Sequence, residues 1–312
     1  MSRRRSRSGR ERPGPAGFLV VDKPRGWTSH DVVEAVRRRL GTQRVGHLGT
    51  LDPLATGVLP LAVREATKLV PFLEGGAKSY AGTIRLGLET DTLDAEGRVV
   101  RRHEGPYPDE AAVRAGLAAF TGEIEQLPPM FSAVKLGGVP LHRLARQGQE
   151  VERAPKRVRI ERFELVEYSP PDAQIEVDCS AGSYVRALAA DLGRHLGCGA
   201  YLASLRRTRS GPFTEDQALE EALIARDAEA GGIEVRIIPP AAVLGFPVLR
   251  LTPEEERRVL HGGEIPARDI PLVPGRRVSA LEPGGELIAV LEVCPGRRLR
   301  PVRVLRSLAT PG

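Results

Sequence analysis

The stretch Arg44-Val-Gly-His-Leu-Gly-Thr-Leu-Asp-Pro-Leu-Ala-Thr-Gly57 gathers three glycines and a proline around a single carboxylate. Glycines on both sides of Asp52 let the backbone approach a ligand closely, and Pro53 fixes the turn just after it. A carboxylate presented that rigidly suits covalent catalysis. For the Asp52-Pro53 pair alone, an Asx turn is the competing reading. His47, on the same loop, has a ring that can stack on or bond to a base, although a lone loop histidine usually does neither. Apolar runs flank the loop: Phe18 to Val21 before it and Val58 to Val63 after it both read as buried strands.

Working outward, Thr28 and Asp31 form a capping box ahead of Val32, Val33, Val36 and Leu40, which recur at helical spacing until Gly41 ends the helix. Downstream, Glu65 to Leu73 reads as a short helix. Tyr80, Gly82, Ile84, Leu86 and Leu88 alternate as a half-buried strand. A helix is predicted over Pro108 to Phe120 and strands over Phe163 to Val166 and Ile175 to Cys179. Ser183 to Leu196 reads as a helix closed by Gly197, and Leu202 to Arg209 as a basic strand. A further helix, Thr214 to Ala230, opens on a Thr214 and Gln217 capping box. Strands and helices mix without strict alternation, which points to α+β. Residues 124–157, with Leu127-Pro-Pro-Met, a Gly137-Gly138 turn and a short helix around Leu141 to Arg146, are expected to be a mobile, basic insertion. Gly231 to Pro240 reads as a boundary. The short apolar runs beyond it predict a small β-rich domain over 241–312, a barrel.

The chain of 312 residues is 41% apolar, enough for a large core and two domains. No window approaches 18 uninterrupted apolar residues, and the three cysteines lack CxxC spacing. A protein of the reducing cytoplasm, without disulfides or structural zinc, is expected. Its net charge of +6 is unevenly placed. Residues 1–12 carry six Arg and one Glu, whereas 13–240 carry 29 basic and 31 acidic residues. Residues 1–16 offer almost nothing apolar and are expected to be a disordered basic tail, either an RNA-attracting arm or a solubilising one. Only 4% of residues are aromatic, which disfavours a general single-strand binder built on stacking platforms.

Other chemistries find less support. Six histidines are scattered without ligand spacing, and there is neither GxxxxGK[ST] nor GxGxxG. A glycosidase-like mechanism needs a second carboxylate. Asp91 and Asp94 are available, but acids in a run after a strand read as a solvated turn.

Six ordered motifs carry a resemblance: Gly17-Phe-Leu-Val-Val-Asp-Lys-Pro, Gly46-His-Leu-Gly-Thr-Leu-Asp-Pro-Leu-Ala-Thr-Gly, Lys78-Ser-Tyr80, Pro128-Pro-Met-Phe-Ser-Ala-Val-Lys135, Cys179-Ser-Ala-Gly-Ser-Tyr-Val-Arg186 and Leu205-Arg-Arg-Thr. Together they resemble the bacterial tRNA pseudouridine synthase B family, in order, from about residue 17 to 215. The resemblance implies a mixed, mainly antiparallel sheet flanked by helices over 17–240, followed by a small RNA-binding barrel of PUA-like type. It implies a monomeric isomerase with no metal or organic cofactor, no membrane and no obligatory protein partner. The partner is the T-arm of tRNA, whose uridine 55 is flipped and converted to pseudouridine.

Carried onto this sequence, the resemblance makes Asp52 the catalytic aspartate, Tyr80 the active-site tyrosine and Arg186 the arginine paired with the aspartate. His47 would fill the space the flipped base leaves. Gly46, Lys23, Leu205, Lys135 and Arg146 join His47 as substrate-binding positions, with Arg44, Arg143, Arg206, Arg207 and Arg209 as further phosphate contacts. Phe131, where the family often has Tyr, keeps a ring without its hydroxyl. Ala181, where Lys is common, removes one phosphate contact. Rival readings are a guide-directed synthase working inside a complex, and an RNA chaperone on the same fold.

Overall fold

The first strand, β1 (Gly17–Lys23), sends alternate side chains into two different cores. Leu19 and Val21 enter the larger cluster, while Phe18 and Val20 enter a second one on the opposite face. This is why its sequence is a continuous apolar run instead of an alternating one. The computed structural model describes residues 12–132, 134–149, 151–225, 232–268 and 273–305. Residues 1–11 of the expected tail lie outside that range. Residues 12–16 are docked, not loose: Arg12 N–H donates to the Gly41 carbonyl at 3.0 Å, and Arg64 donates to the carbonyls of Pro15 and Arg12.

Helix α1 (Ser29–Leu40) has both bonds of the Thr28 and Asp31 capping box and ends on Gly41 in the left-handed region. Strand β2 (Val45–His47) pairs with β3 (Thr56–Val63), which also pairs antiparallel with β1. The predicted helix after β3 is a 3-10 helix, Arg64–Phe72. Strand β4 (Lys78–Leu86) is followed by a small hairpin of β5 (Leu88–Thr90) and β6 (Val99–Arg102). Helix α2 (Glu110–Ala119) is capped by Asp109.

The basic insertion is narrower than expected. Its first residues belong to β7 (Gly122–Gln126) and its last to β10 (Lys156–Ser169), and those two strands pair with each other. Between them lie the two-residue strands β8 (Lys135–Leu136) and β9 (Val139–Pro140) and helix α3 (Leu141–Arg146). The main sheet continues with β11 (Asp172–Cys179), helix α4 (Val185–His195), β12 (Ala200–Ser210) and β13 (Phe213–Thr214). Its strand order is β1-β3-β12-β4-β11-β10-β7, with β2 paired to β3 and β13 to β12. Every pairing is antiparallel except β12 with β3, so the sheet is mixed and mainly antiparallel, as expected.

The predicted helix Thr214 to Ala230 does not form as one piece. The Thr214 and Gln217 capping box is present but opens only a 3-10 turn. Ala218 returns to the extended region at φ −77° and ψ 135°, because the next residue is drawn to β1. Leu219 N–H donates to the Val20 carbonyl at 2.9 Å, and its own carbonyl accepts from Asp22 N–H at 2.8 Å. Helix α5 (Glu221–Ala225) then follows, and residues 226–231 lie outside the described chain. The stretch expected as a boundary is itself tied in: Ile238 and Phe18 exchange backbone hydrogen bonds, and Ile233 and Ile237 are buried in the larger core.

Beyond it come helix α6 (Pro240–Val243), β14 (Val248–Arg250), helix α7 (Pro253–Leu260), β15 (Ile265–Pro266), β16 (Arg277–Leu281), β17 (Leu287–Cys294) and β18 (Arg298–Val304). They form one open sheet, β14-β16-β17-β18-β15, not the closed barrel expected. The edge strands β14 and β15 are three and two residues long, too short to meet around a barrel. One apolar surface of this unit, including Leu281, Leu287, Val290 and Leu305, shares a cluster with Phe18, Val58 and Ala62. The two sheets are thus joined by a common core.

Candidate active site

Asp52 sits on the loop between β2 and β3, and that loop leaves few polar backbone groups to chance. Ser29, at the start of α1, accepts from Leu51 N–H at 2.8 Å and donates to the Leu51 carbonyl at 2.9 Å. Gly26 N–H donates to the Pro53 carbonyl. Arg207, on β12, donates to the carbonyls of Val58 at 2.7 Å, Gly49 at 3.3 Å and Thr50 at 3.4 Å. Two glycines are required by geometry. Gly49 has φ +119°, and a Cβ at Gly57 would stand 2.3 Å from the Arg207 carbonyl.

Arg186, in the first turn of α4, closes on the loop from the other side. Its Nε lies 2.9 Å from Asp52 Oδ2 and its Nη1 3.6 Å from Asp94 Oδ2. It also donates to the carbonyls of Thr92 at 3.1 Å and Phe131 at 2.9 Å. The guanidinium is buried, while the Asp52 side chain keeps 38% of its surface open to the cavity. Even so, burial pushes the Asp52 carboxyl above the ordinary range; the Arg186 charge opposes that rise and the Asp94 charge adds to it.

Asp52 and Arg186 form a wall between two cavities. The first, about 280 Å³, is lined by Asp52, Lys78, Tyr80, Tyr184, Arg186, Leu205 and Arg207 among others. The second, about 710 Å³, is lined by His30, His47, Asp94, Glu96, Phe131 and Arg143 with the same Asp52 and Arg186. Tyr80 is buried, and burial raises its phenol above the ordinary value, against the lowering influence of the neighbouring Arg207 charge. His47 is pushed below its ordinary value by burial and by Arg207, so its ring is neutral at pH 7. Tyr184 is likewise raised, mainly by burial.

The structure brings together Asp52, Tyr80, Arg186 and Leu205 around one cavity, with His47 in the other. It separates several residues that sequence grouped with them. Lys23 is fully buried, its Nζ bonded to the carbonyls of Trp27 at 2.6 Å, Pro24 at 2.9 Å and Pro53 at 3.4 Å, so it braces the loop instead of meeting phosphate. Burial lowers its ammonium to about 8. Arg207 is equally inaccessible. Arg206 points to the opposite face and is paired with Asp22 and Glu215, Arg209 donates to Ser79 Oγ, and Arg44 is paired with Glu65. Gly46 lines neither cavity. Arg143 faces the larger cavity. The side chains of Lys135 and Arg146 lie outside the described ones.

Sequence reasoning named Asp94 as an available carboxylate but set it aside, and it missed Tyr184. Asp94 is not in a solvated turn; it is 3% exposed and paired with Arg186. Tyr184 stood inside the Cys179 to Arg186 motif unremarked. Phe131 serves Arg186 through its backbone carbonyl, so that contact needs no tyrosine hydroxyl.

The chain as a whole, with this loop and helix in place, superimposes on solved structures over most of its length. The crystal structure of a Cbf5-Nop10-Gar1 complex aligns with TM-score 0.70 and 28% identity, covering 93% of this chain and 85% of the other. An H/ACA RNP bound to a substrate RNA containing 2′-deoxyuridine aligns with TM-score 0.69 and 25% identity at the same coverage. The fold is that of the pseudouridine synthases. Within that class, the model of the TruB family pseudouridylate synthase N-terminal domain matches residues 37–185, and that of the tRNA pseudouridylate synthase B C-terminal domain matches residues 186–236. The tRNA pseudouridine synthase B of Thermobifida fusca is 45% identical over 284 residues, 88% of this chain and 94% of its own. That of Geobacter sulfurreducens is 48% identical over 249 residues, 79% of this chain and 81% of its own. The chain belongs to the TruB family.

Proposed function

We propose that this protein converts the T-loop uridine of tRNA, position 55, to pseudouridine, with Asp52 as nucleophile. The observation that carries the reading is the ion pair of Asp52 with the buried Arg186, set on the wall of a cavity that also presents Tyr80 and Leu205. Isomerisation breaks the N1–C1′ bond, turns the uracil, joins C5 to C1′ and moves a proton from C5 to N1. An ionised carboxylate attacking C6 of the base or C1′ of the ribose holds the intermediate while the base turns. Arg186 keeps Asp52 charged once the flipped base has displaced water. Tyr80 offers its ring to the uracil and its phenol to the proton that leaves C5. Neutral His47, in the adjoining cavity, fills the stack the uridine leaves.

We assign a division of labour: 17–240 for catalysis, the projection within 124–157 as a clamp on the RNA, and 241–312 as a PUA-like RNA-binding unit. Among the described residues, no helix is long and apolar enough to cross a membrane. We read the protein as a cytoplasmic monomer that acts on the T-arm without a metal, a cofactor or a guide complex.

The experiment is tritium release from C5-labelled uridine in a tRNA transcript. Wild type should release it and Asp52→Asn should not, while tRNA binding survives; normal turnover by the variant would end the assignment. Activity on a bare T-arm minihelix separates this reading from a guide-directed synthase, which would be silent there.

A further inference from the structure

Arg207 is buried, on the same strand as Leu205 and next to Arg206, yet among the described residues it has no acidic partner. Among the described residues no carboxylate lies within ion-pair distance of it. Its donors go instead to the carbonyls of Gly49, Thr50 and Val58, which bracket Asp52 on both sides in sequence. Its other neighbour is the phenol of Tyr80, across the β12–β4 register where Arg207 stands opposite Tyr80. An unpaired buried charge is costly unless hydrogen bonds satisfy it, and here two of the three accepting carbonyls belong to the catalytic loop and the third to β3, the strand that follows it.

We propose that Arg207 is a positioning residue: one guanidinium fixes the backbone that carries Asp52 and, from the same point, the phenol of Tyr80. It thereby sets the distance between the nucleophile and the aromatic face across the smaller cavity. The geometry favours Arg over any other residue. A lysine brings one nitrogen where three carbonyls and a phenol must be met, and its point charge has no planar fork to span them. Misplacement of a reacting group by about 1 Å costs about a hundredfold in rate. The proposal rests on the uridine-isomerising reading of this site.

The test compares Arg207→Lys and Arg207→Gln with Arg64→Lys. Arg64 is another buried arginine bonded to carbonyls, those of Pro15, Arg12 and Leu40, at the far end of β3. With a T-arm minihelix as substrate, the Arg207 variants should lose about a hundredfold in kcat, with KM and minihelix Kd held near wild type. Arg64→Lys should shift the thermal midpoint comparably and leave kcat alone. In a double-mutant cycle, Arg207→Lys should cost less in a Tyr80→Phe background, because the phenol it orders is gone. Arg207 variants with kcat within about threefold of wild type, or an equal loss in Arg64→Lys, would overturn the proposal. If neither Arg207 variant folds, side-chain hydrogen exchange in the Asp52→Asn protein carries the test. The Arg207 Nε–H should stay protected with and without bound minihelix; loss of protection on binding would show that the guanidinium releases the loop. A wild-type enzyme inactive on the minihelix fails the functional reading itself, a different outcome from any of these.

Discussion

Arg206 and Arg207 are neighbours on one strand and live in opposite worlds. Arg206 points to the face of the main sheet away from the active site, 41% exposed, and pairs with Asp22 and Glu215. That face repeats the pattern: Arg85 pairs with Asp172, and Arg162 with Glu176 and Asp178. Arg207 points inward, has no carboxylate partner among the described residues and holds the carbonyls of Gly49, Thr50 and Val58. A second arginine at the cavity, Arg186, is shared by two carboxylates and two carbonyls. On the outer face charge meets charge in water, where each pair contributes little. On the inner face a few buried cations organise a loop and set the ionisation of the groups around the cavity. Two arginines one residue apart thus do unlike work, and counting basic residues says nothing about which of them an RNA touches.

The contrast can be broken at the inner face first. Replacing Arg186 by Met leaves Asp52 and Asp94 without their cation; tritium release should fall to background, and stability by about 3 kcal/mol in urea melts. A folded variant with wild-type rate would mean the buried pair is incidental. A smaller effect is expected at Asp94. Because its charge pushes the Asp52 carboxyl up, and Asp52 must be ionised to attack, the rate should fall as pH drops through a range above the usual carboxylate value. Asp94→Asn should lower kcat by about tenfold through Arg186 and move that acid limb to lower pH. Movement to higher pH would contradict the assignment.

Lys23 sharpens the comparison in stability instead of rate. Its ammonium titrates near 8 in the folded protein against 10.5 when unfolded, so between those values the unfolded chain binds more protons and stability should rise with pH. Lys23→Met should abolish that rise, measured as urea midpoints at pH 7.5 and 9.5; a slope unchanged in the variant would place the titration elsewhere. The smallest effect belongs to the outer face. Arg206→Ala should change stability by about 0.5 kcal/mol or less and leave tRNA turnover within about twofold of wild type. A large loss of tRNA affinity in that variant would put RNA on the face we read as solvated.

Local signals in the sequence carried much of this architecture. The Thr28 and Asp31 capping box and the stop at Gly41 are set by interactions within a few residues and formed where expected, and the period-two run from Tyr80 did so as far as Leu86, where Gly87 in the left-handed region breaks it and Leu88 starts the next strand. Thr214 to Ala230 failed for the opposite reason: Leu219 is claimed by β1, nearly two hundred residues earlier, which no local pattern announces. The barrel failed because β14 and β15 are short and an apolar surface of that sheet is turned onto the first domain. At the site, Asp52, Tyr80 and Arg186 were singled out by motif, whereas Asp94 was read as a solvated turn because its burial depends on Arg186 arriving from α4. Lys23 and Arg207 were read as phosphate contacts because a charge on a strand says nothing of which face it occupies or which carbonyls await it.

The account turns on Asp52 acting as a nucleophile held by Arg186. Mapping pseudouridine across an unmodified tRNA transcript, after incubation with purified wild type and with Asp52→Asn, tests it most directly. The account predicts a single new pseudouridine at position 55 of the T-loop with wild type and none with the variant. Pseudouridine formed by the Asp52→Asn protein, or an unmodified T-loop after wild-type treatment, would contradict it.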